Sequence, residues 1–295
     1  MKLKILDHSN SEKGSKELPP VFNEEVRPDL IKRAVHAIQA NSRQRYGADA
    51  RAGKKCSAEL SRRRRKYRGS YGHGISRVPR KIHSRSGTRF NWTGAFAPGT
   101  VGGRRAHPPK ATKIWTVKIN NKERRKAIRS AISATVVKEF VKERGHAAPE
   151  SYPFIIADDF ESLSKTKQVV DALKKLGFDK ELDRSSEKTY RAGKARLRGR
   201  KYRKRKGPLF VVSKQCPLLR AASNVAGLDA VAVTDLNAEL LAPGAVPGRL
   251  TLFTQSAVEK LDKEKLFHET LKMAKEKESK EKKGRKGTRN KEKKK

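Results

Sequence analysis

The chain has 295 residues, with 72 Lys or Arg against 31 Asp or Glu, a formal net charge of +41 and a mean hydropathy of −0.83. No window approaches the ~20 apolar residues of a membrane span, and the apolar run in MKLKILDHSNSEK is too short for a signal peptide. Two cysteines, Cys56 and Cys216, make neither a disulfide framework nor a tetrahedral zinc site alone, so a soluble protein of a reducing, cytosolic compartment is expected.

In chain order, residues 2–6 alternate apolar and polar and end at Asp7-His8-Ser9-Asn10, which predicts a first strand and a turn. Pro28 and Asp29 open a helix whose Leu30, Ile31, Ala34, Val35 and Ile38 fall at helical spacing. Residues 43–113 follow with 20 basic residues and only two acids, Asp49 and Glu59, and no sustained apolar period. This stretch is expected to be a long extended basic loop without a folded core, inserted between two helices. Asn120 or Asn121 then caps a long helix carrying Ile128, Ile132, Val136, Phe140 and Val141 and stopped by Gly145.

A βα rhythm sets in beyond it. Strands are expected over 154–157, 209–213, 231–234 and 250–253. Helices are expected over 165–176 and 217–224, near 239–241, and from about Ser256. The fold class is thus α/β, a mainly parallel sheet layered with helices. The expected body spans 1–42 and 114–262, with the arm at 43–113 and a second basic loop at 188–206. A Lys/Glu-rich extension over 263–295 is expected to be disordered or marginally helical when free.

Charge is gathered in blocks. Residues 188–206 hold 11 cations and no acid, and residues 258–295 hold 16 cations and eight acids, whereas the 167 residues outside all three blocks carry only +4. Such blocks are the footprint of a polyanion, because each neutralised phosphate releases condensed counterions.

In the arm, the candidate RNA-binding residues are Arg43, Arg45, Arg51, Lys54, Lys55, Arg62, Arg63, Arg64, Arg65, Lys66, Tyr67, Arg68, Tyr71, Arg104, Arg105, His107 and Lys110. Guanidinium groups pair bidentately with phosphate and aromatic faces stack on unpaired bases, so this mixture suits folded RNA better than a bare tether or localisation signal. In the second block they are Arg191, Lys194, Arg196, Arg198, Arg200, Lys201, Tyr202, Arg203, Lys204, Arg205 and Lys206. Asp158-Asp159, at the end of an expected strand, is compatible with Mg²⁺ binding or acid–base work, and equally with a helix cap and first turn. The structural role is favoured because no third carboxylate, catalytic His or nucleophile stands out nearby. The glycines at 69–74 and 101–103 neither follow a strand nor open a helix, and His73, His83, His107 and Cys56 lack paired ligand spacing.

Taken together, RPDLIKRAV (27–35), RAGK (51–54), GHG with RVPR (72–74 and 77–80), GGRRAHPPK (102–110) and NKERRKAIRSAISAT (121–135) resemble the universal large-subunit ribosomal protein L-four family in its archaeal and eukaryotic form. So do ERGH (143–146), DDFE (158–161), RAGKARLRGRKYR (191–203) and AELLAPGAVPGRLTLFT (238–254). The resemblance implies an α/β body on the large subunit and an arm threading into its ribosomal RNA, with a tip that helps line the nascent-peptide exit tunnel. The matching tip is about 72–92, with Gly72, His73, Gly74, Arg77, Arg80, Lys81, Arg85, Arg89 and Trp92. Implied partners are large-subunit rRNA, neighbouring ribosomal proteins and, transiently, the nascent peptide. No cofactor, metal, small-molecule substrate, membrane or enzymatic activity is implied. An RNA-modifying enzyme with basic guiding arms is the alternative, but the cofactor loop it needs is not found in the sequence.

Overall fold

A computed structural model describes residues 1–268, which fall into two units: Met1–Ala40 with the chain from Val117 onward, and Asn41–Thr116. In the first unit, β1 (Lys2–Leu6) buries Leu3, Ile5 and Leu6. It turns at Asn10, which takes φ +67°, into β2 (Glu12–Glu17). This strand has no apolar alternation and is exposed almost throughout, so periodicity gave no sign of it. A 3₁₀ turn at Pro20–Asn23 buries Val21 and Phe22. Then α1 (Pro28–Ser42) lays Ile31, Ala34 and Val35 on the core at i, i+3 and i+4.

The second unit contains β3 (Arg80–Ser86) and β4 (Arg89–Gly94), an antiparallel hairpin with a register shift between Ile82 and Ser84. The stretch expected to be loop throughout therefore holds regular structure. Its alternation is aromatic against polar (Phe90, Trp92 against Arg89, Asn91, Thr93) and only two residues deep, too short to register as a sustained period.

Back in the first unit, the single helix expected to run to Gly145 is two helices, α2 (Asn121–Val136) and α3 (Lys138–Glu143), parted by Val137 at φ −82°, ψ 109°. Thr135-Val136-Val137 is a β-branched run with low helix propensity. The Tyr152 hydroxyl also takes the Thr135 carbonyl, an acceptor that a continuous helix would use four residues on. Next come β5 (Ile155–Ile156), α4 (Thr166–Lys175) and α5 (Asp179–Ser186). The last has no apolar stripe and buries Glu181 and Ser185 instead, so the sequence did not announce it.

The second basic block forms β6 (Lys188–Tyr190), α6 (Lys194–Leu197) and β7 (Tyr202–Lys204). The remaining elements are β8 (Leu209–Val212), α7 (Pro217–Ser223), β9 (Asp229–Ala232), α8 (Ala238–Leu241), β10 (Thr251–Phe253) and α9 (Gln255–Lys263). Asn237 and Thr254 cap the last two helices through their side chains.

The body is a mixed α/β structure. One sheet has the order β2-β1-β5, antiparallel at β1/β2 and parallel at β1/β5. The other has the order β10-β8-β9 and is parallel, and a parallel bridge joins Ile156 to Thr254. All four residues of β8 are buried because its two faces enter different cores. Leu209 and Val211 pack with Ile31, Val35, Ile132 and Val258, while Phe210 and Val212 pack with Phe160, Val169, Leu173 and Leu218. A strand covered on both faces reads as a continuous apolar run rather than an alternation. Leu266 and Phe267 also pack against the first of these cores. The expected extension beyond His268 lies outside the described residues.

Candidate nucleic-acid interface

The 41–116 unit starts as two strands of irregular backbone lying side by side. Ala48 N–H donates to Pro109 O at 3.0 Å, and a Cβ on Gly47 would lie 2.8 Å from the Ala111 nitrogen. At Gly53 (φ +68°) a Cβ would come within 2.4 Å of the Arg104 nitrogen, so only glycine lets RAGK and GGRR pass this closely. Tyr46 and Trp115 stack at 5.9 Å between ring centroids, with the Arg43 guanidinium 3.8 Å and the Lys113 ammonium 4.3 Å from the Trp115 centroid. Lys54 and Arg104 both approach the Phe96 ring, at 5.9 and 6.0 Å. These cation–π contacts hold side chains without neutralising them.

Around the hairpin an aromatic cluster replaces an aliphatic core. Phe90 and Trp92, two residues apart on one face of β4, stack at 5.2 Å, Tyr67 meets Phe90 edge-on at 5.2 Å, and His73 meets Trp92 at 6.1 Å. Arg85 donates to Tyr67 Oη at 3.0 Å with its guanidinium 4.8 Å from that ring, and Arg77 and Arg80 lie near Tyr71 and Trp92. Gly72 and Gly74 take φ of +79° and +64° in the turns leading to the hairpin, and Lys81 and Arg89 are exposed on it. Arg62, Arg63, Arg64, Arg65, Lys66 and Arg68 are exposed before it, and Arg45, Arg51, Lys55, Arg105, His107 and Lys110 are exposed along the two paired stretches of irregular backbone. The ion pair seen here is Lys55 with Asp49 at 3.8 Å. Residues 43–113 carry +18 in all, so most of this charge stays open.

The second basic block is a short antiparallel hairpin. Tyr190 faces Tyr202 across β6/β7 with rings 5.1 Å apart, both exposed, and Lys201 lies about 5.5 Å from each ring. Arg191, Lys194, Arg196, Arg198, Arg200, Arg203 and Lys204 accompany them, and Arg205 pairs with Glu187. The C-terminal root of the hairpin is tied to buried charge. Arg249, fully buried, donates to Gly207 O (3.0 Å), Leu240 O (2.9 Å) and Asp229 Oδ2 (2.6 Å), and Lys206 reaches the same Asp229 oxygen at 2.8 Å.

Beside this root, Arg184 donates to Lys206 O (2.7 Å) and to both oxygens of the buried Glu181, which also accepts from Ala147 N–H and pairs with His146 Nδ1 at 2.7 Å. Burial opposes ionisation of Glu181, but the hydrogen bonds from Arg184 and His146 outweigh it and hold the carboxyl at about 2. For His146 burial dominates and pushes the pKa down against the pull of Glu181. Arg144, whose guanidinium burial pushes down to about 10, donates to the carbonyls of Pro243 and Val246. The ERGH segment therefore clamps the APGAVPG loop and α5 together. Glu181, Arg184, Arg249 and Tyr190 were not singled out from the sequence. The available signal was a set of charged residues inside otherwise apolar or motif-like segments.

Asp158 and its neighbours have a structural role. Asp158 Oδ1 accepts from Ser256 N–H at 2.8 Å and from its hydroxyl at 2.7 Å, at the start of α9. Glu161 accepts from Ser213 N–H, Ser213 Oγ and Thr254 Oγ1 at 2.8–3.0 Å. Asp159 bonds Lys13, which also lies 3.3 Å from Asp7. The cluster of Asp7, His8 and Asp159, the potential metal-ligand group among the described residues, thus holds an ammonium.

Comparison with known proteins places these features in a family. The family model described as "Ribosomal protein L4/L1 family" matches residues 16–264. The chain is 50% identical over 268 residues to the large ribosomal subunit protein uL4 of Nanoarchaeum equitans, covering 90% of this chain and 100% of that one. It is 45% identical to the proteins of the same name from Archaeoglobus fulgidus and Halobacterium salinarum, over 88% of this chain and 98% and 99% of theirs.

Proposed function

Since the chain belongs to the ribosomal protein L4/L1 family, we propose that it is a structural component of the large ribosomal subunit, resident on the ribosome in the cytoplasm, where it binds large-subunit rRNA. The relatives it matches carry the names of ribosomal proteins and not of enzymes, and the acids at the strand end are used internally, so the RNA-modifying alternative has no support. Among the described residues no helix is long and apolar enough to cross a membrane.

The observation that carries the reading is the open charge of the 41–116 unit, where Arg and Lys ride on aromatic faces while few acids neutralise them. Such a surface is complete only against a polyanion. In this reading the unit is the arm that penetrates rRNA, with 72–92 at its tip lining the exit tunnel alongside another ribosomal protein and touching the nascent peptide. The 188–206 hairpin makes a second contact from the body. Sedimentation of a native lysate through a high-salt sucrose gradient tests it. Persistent migration with the large subunit is expected; release into the light fractions would overturn an integral role.

A further inference from the structure

The hairpin of the second basic block carries an aromatic pair that stays open to solvent. Tyr190 and Tyr202 are direct cross-strand partners in β6/β7, so both side chains stand on one face of the hairpin, with ring centroids 5.1 Å apart and planes tilted by 45°. They are 61% and 41% exposed, and every residue of both strands is exposed. The other Phe and Tyr rings described in the body are buried or half-buried.

The charge around these rings is open as well. Of the 11 cations in residues 188–206, those at the root are paired, Arg205 with Glu187 and Lys206 with Asp229, whereas Arg196, Arg198, Arg200 and Lys201 have no carboxylate partner among the described residues. Lys201 lies 5.6 Å from the Tyr190 centroid and 5.5 Å from that of Tyr202, and Arg196 lies 5.8 Å from Tyr190. These distances leave the rings accessible, unlike the Trp115 face that the Arg43 guanidinium closes at 3.8 Å.

In a duplex the faces of each base are already stacked, and a protein is offered only phosphates, sugars and groove edges, for which cations suffice. Exposed ring faces gain from an unpaired base, which brings its own π-face with a charged backbone beside it. An acidic protein segment would satisfy the cations without using the rings. Resting on the reading of this hairpin as the body's rRNA contact, we propose that Tyr190 and Tyr202 form a stacking platform for an unpaired nucleotide of that RNA, and that Lys201 and Arg196 hold the phosphates flanking it. The body's contact is thus to a single-stranded or bulged segment, and it tolerates any base because each presents a π-face.

Photocrosslinking of the full chain to a short single-stranded RNA carrying 5-iodouridine, with adducts mapped by mass spectrometry, reads this site separately from the 41–116 unit. Adducts are expected on Tyr190 or Tyr202, and about tenfold fewer when the same RNA is annealed to its complement. Tyr202→Val keeps strand propensity but removes the ring. It should lower the yield at Tyr190 about tenfold at subsaturating RNA, the loss of one base stack, with adducts in the 41–116 unit unchanged, and Tyr202→Phe should restore it. Adducts confined to the 41–116 unit, equal yields from single strand and duplex, or a yield at Tyr190 that survives Tyr202→Val would each overturn the proposal. The gradient experiment separates the two readings: a chain that sediments with the large subunit yet gives no adduct at these tyrosines refutes the platform alone.

Discussion

The body and the 41–116 unit use charge in opposite ways. In the body, Arg249, Glu181, Arg184 and Asp229 sit in closed networks in which nearly every polar atom has a protein partner, and these networks hold the root of the basic hairpin. In the other unit several guanidinium groups lie over aromatic rings, and exposed Arg62, Arg63, Arg64 and Arg65 have no carboxylate partner among the described residues. Buried paired charge fixes a shape in the absence of any partner, because breaking it strands the remaining ion in a low dielectric. Open charge stores a repulsion that only a polyanion relieves. The same residue types therefore act as scaffold in one place and stay open at the surface in the other.

The comparison is most easily broken at Glu181. Glu181→Ala leaves Arg184, His146 and the Ala147 N–H without their acceptor, and should cost about 3–5 kcal/mol in urea unfolding of the full chain. A loss under about 1 kcal/mol would mean the network is not the scaffold described.

Acidification should reach the same group more gradually. The folded carboxyl is held at about 2, below its ordinary 4.5, so its contribution is present above pH 4.5 and is lost as pH falls from there toward 2. The amount is roughly 3 kcal/mol. His146, also pushed down on folding, adds a loss in the same direction as pH drops below its usual 6.5. Urea midpoints measured against pH should fall over this range, and Glu181→Gln should flatten the carboxylate part.

The smallest stability effect is expected from replacing Arg62, Arg63, Arg64 and Arg65 together with Ala. These exposed side chains should change unfolding by no more than about 0.5 kcal/mol. The slope of log affinity for large-subunit rRNA against log salt should nevertheless shrink by about 3, as four phosphate contacts are removed. An unchanged slope would place those arginines away from RNA.

Much of the body was legible because its signals are local. Val, Ile and Leu runs marked β8 and β10, Pro28 and Pro217 opened helices, and Gly145 and Gly177 closed them with positive φ. Where the sequence misled, a distant residue decided. Tyr152 takes the carbonyl that would have continued α2, polar β2 is a strand only because β1 pairs with it, and α5 is buried through a carboxylate that Arg184 and His146 satisfy. The hairpin at 80–94 leaves no sustained apolar period in the sequence because its core is three aromatic rings, one of them contributed by Tyr67 from outside the strands.

The sequence by itself determined the partner class and the family, since charge blocks and ordered motifs are properties of the chain that need no geometry. Tertiary structure alone decided which charges face inward. Burial of an ion is permitted only where several donors or acceptors converge on it from separate segments, as Arg249 meets Gly207, Leu240 and Asp229, and no local pattern encodes that convergence.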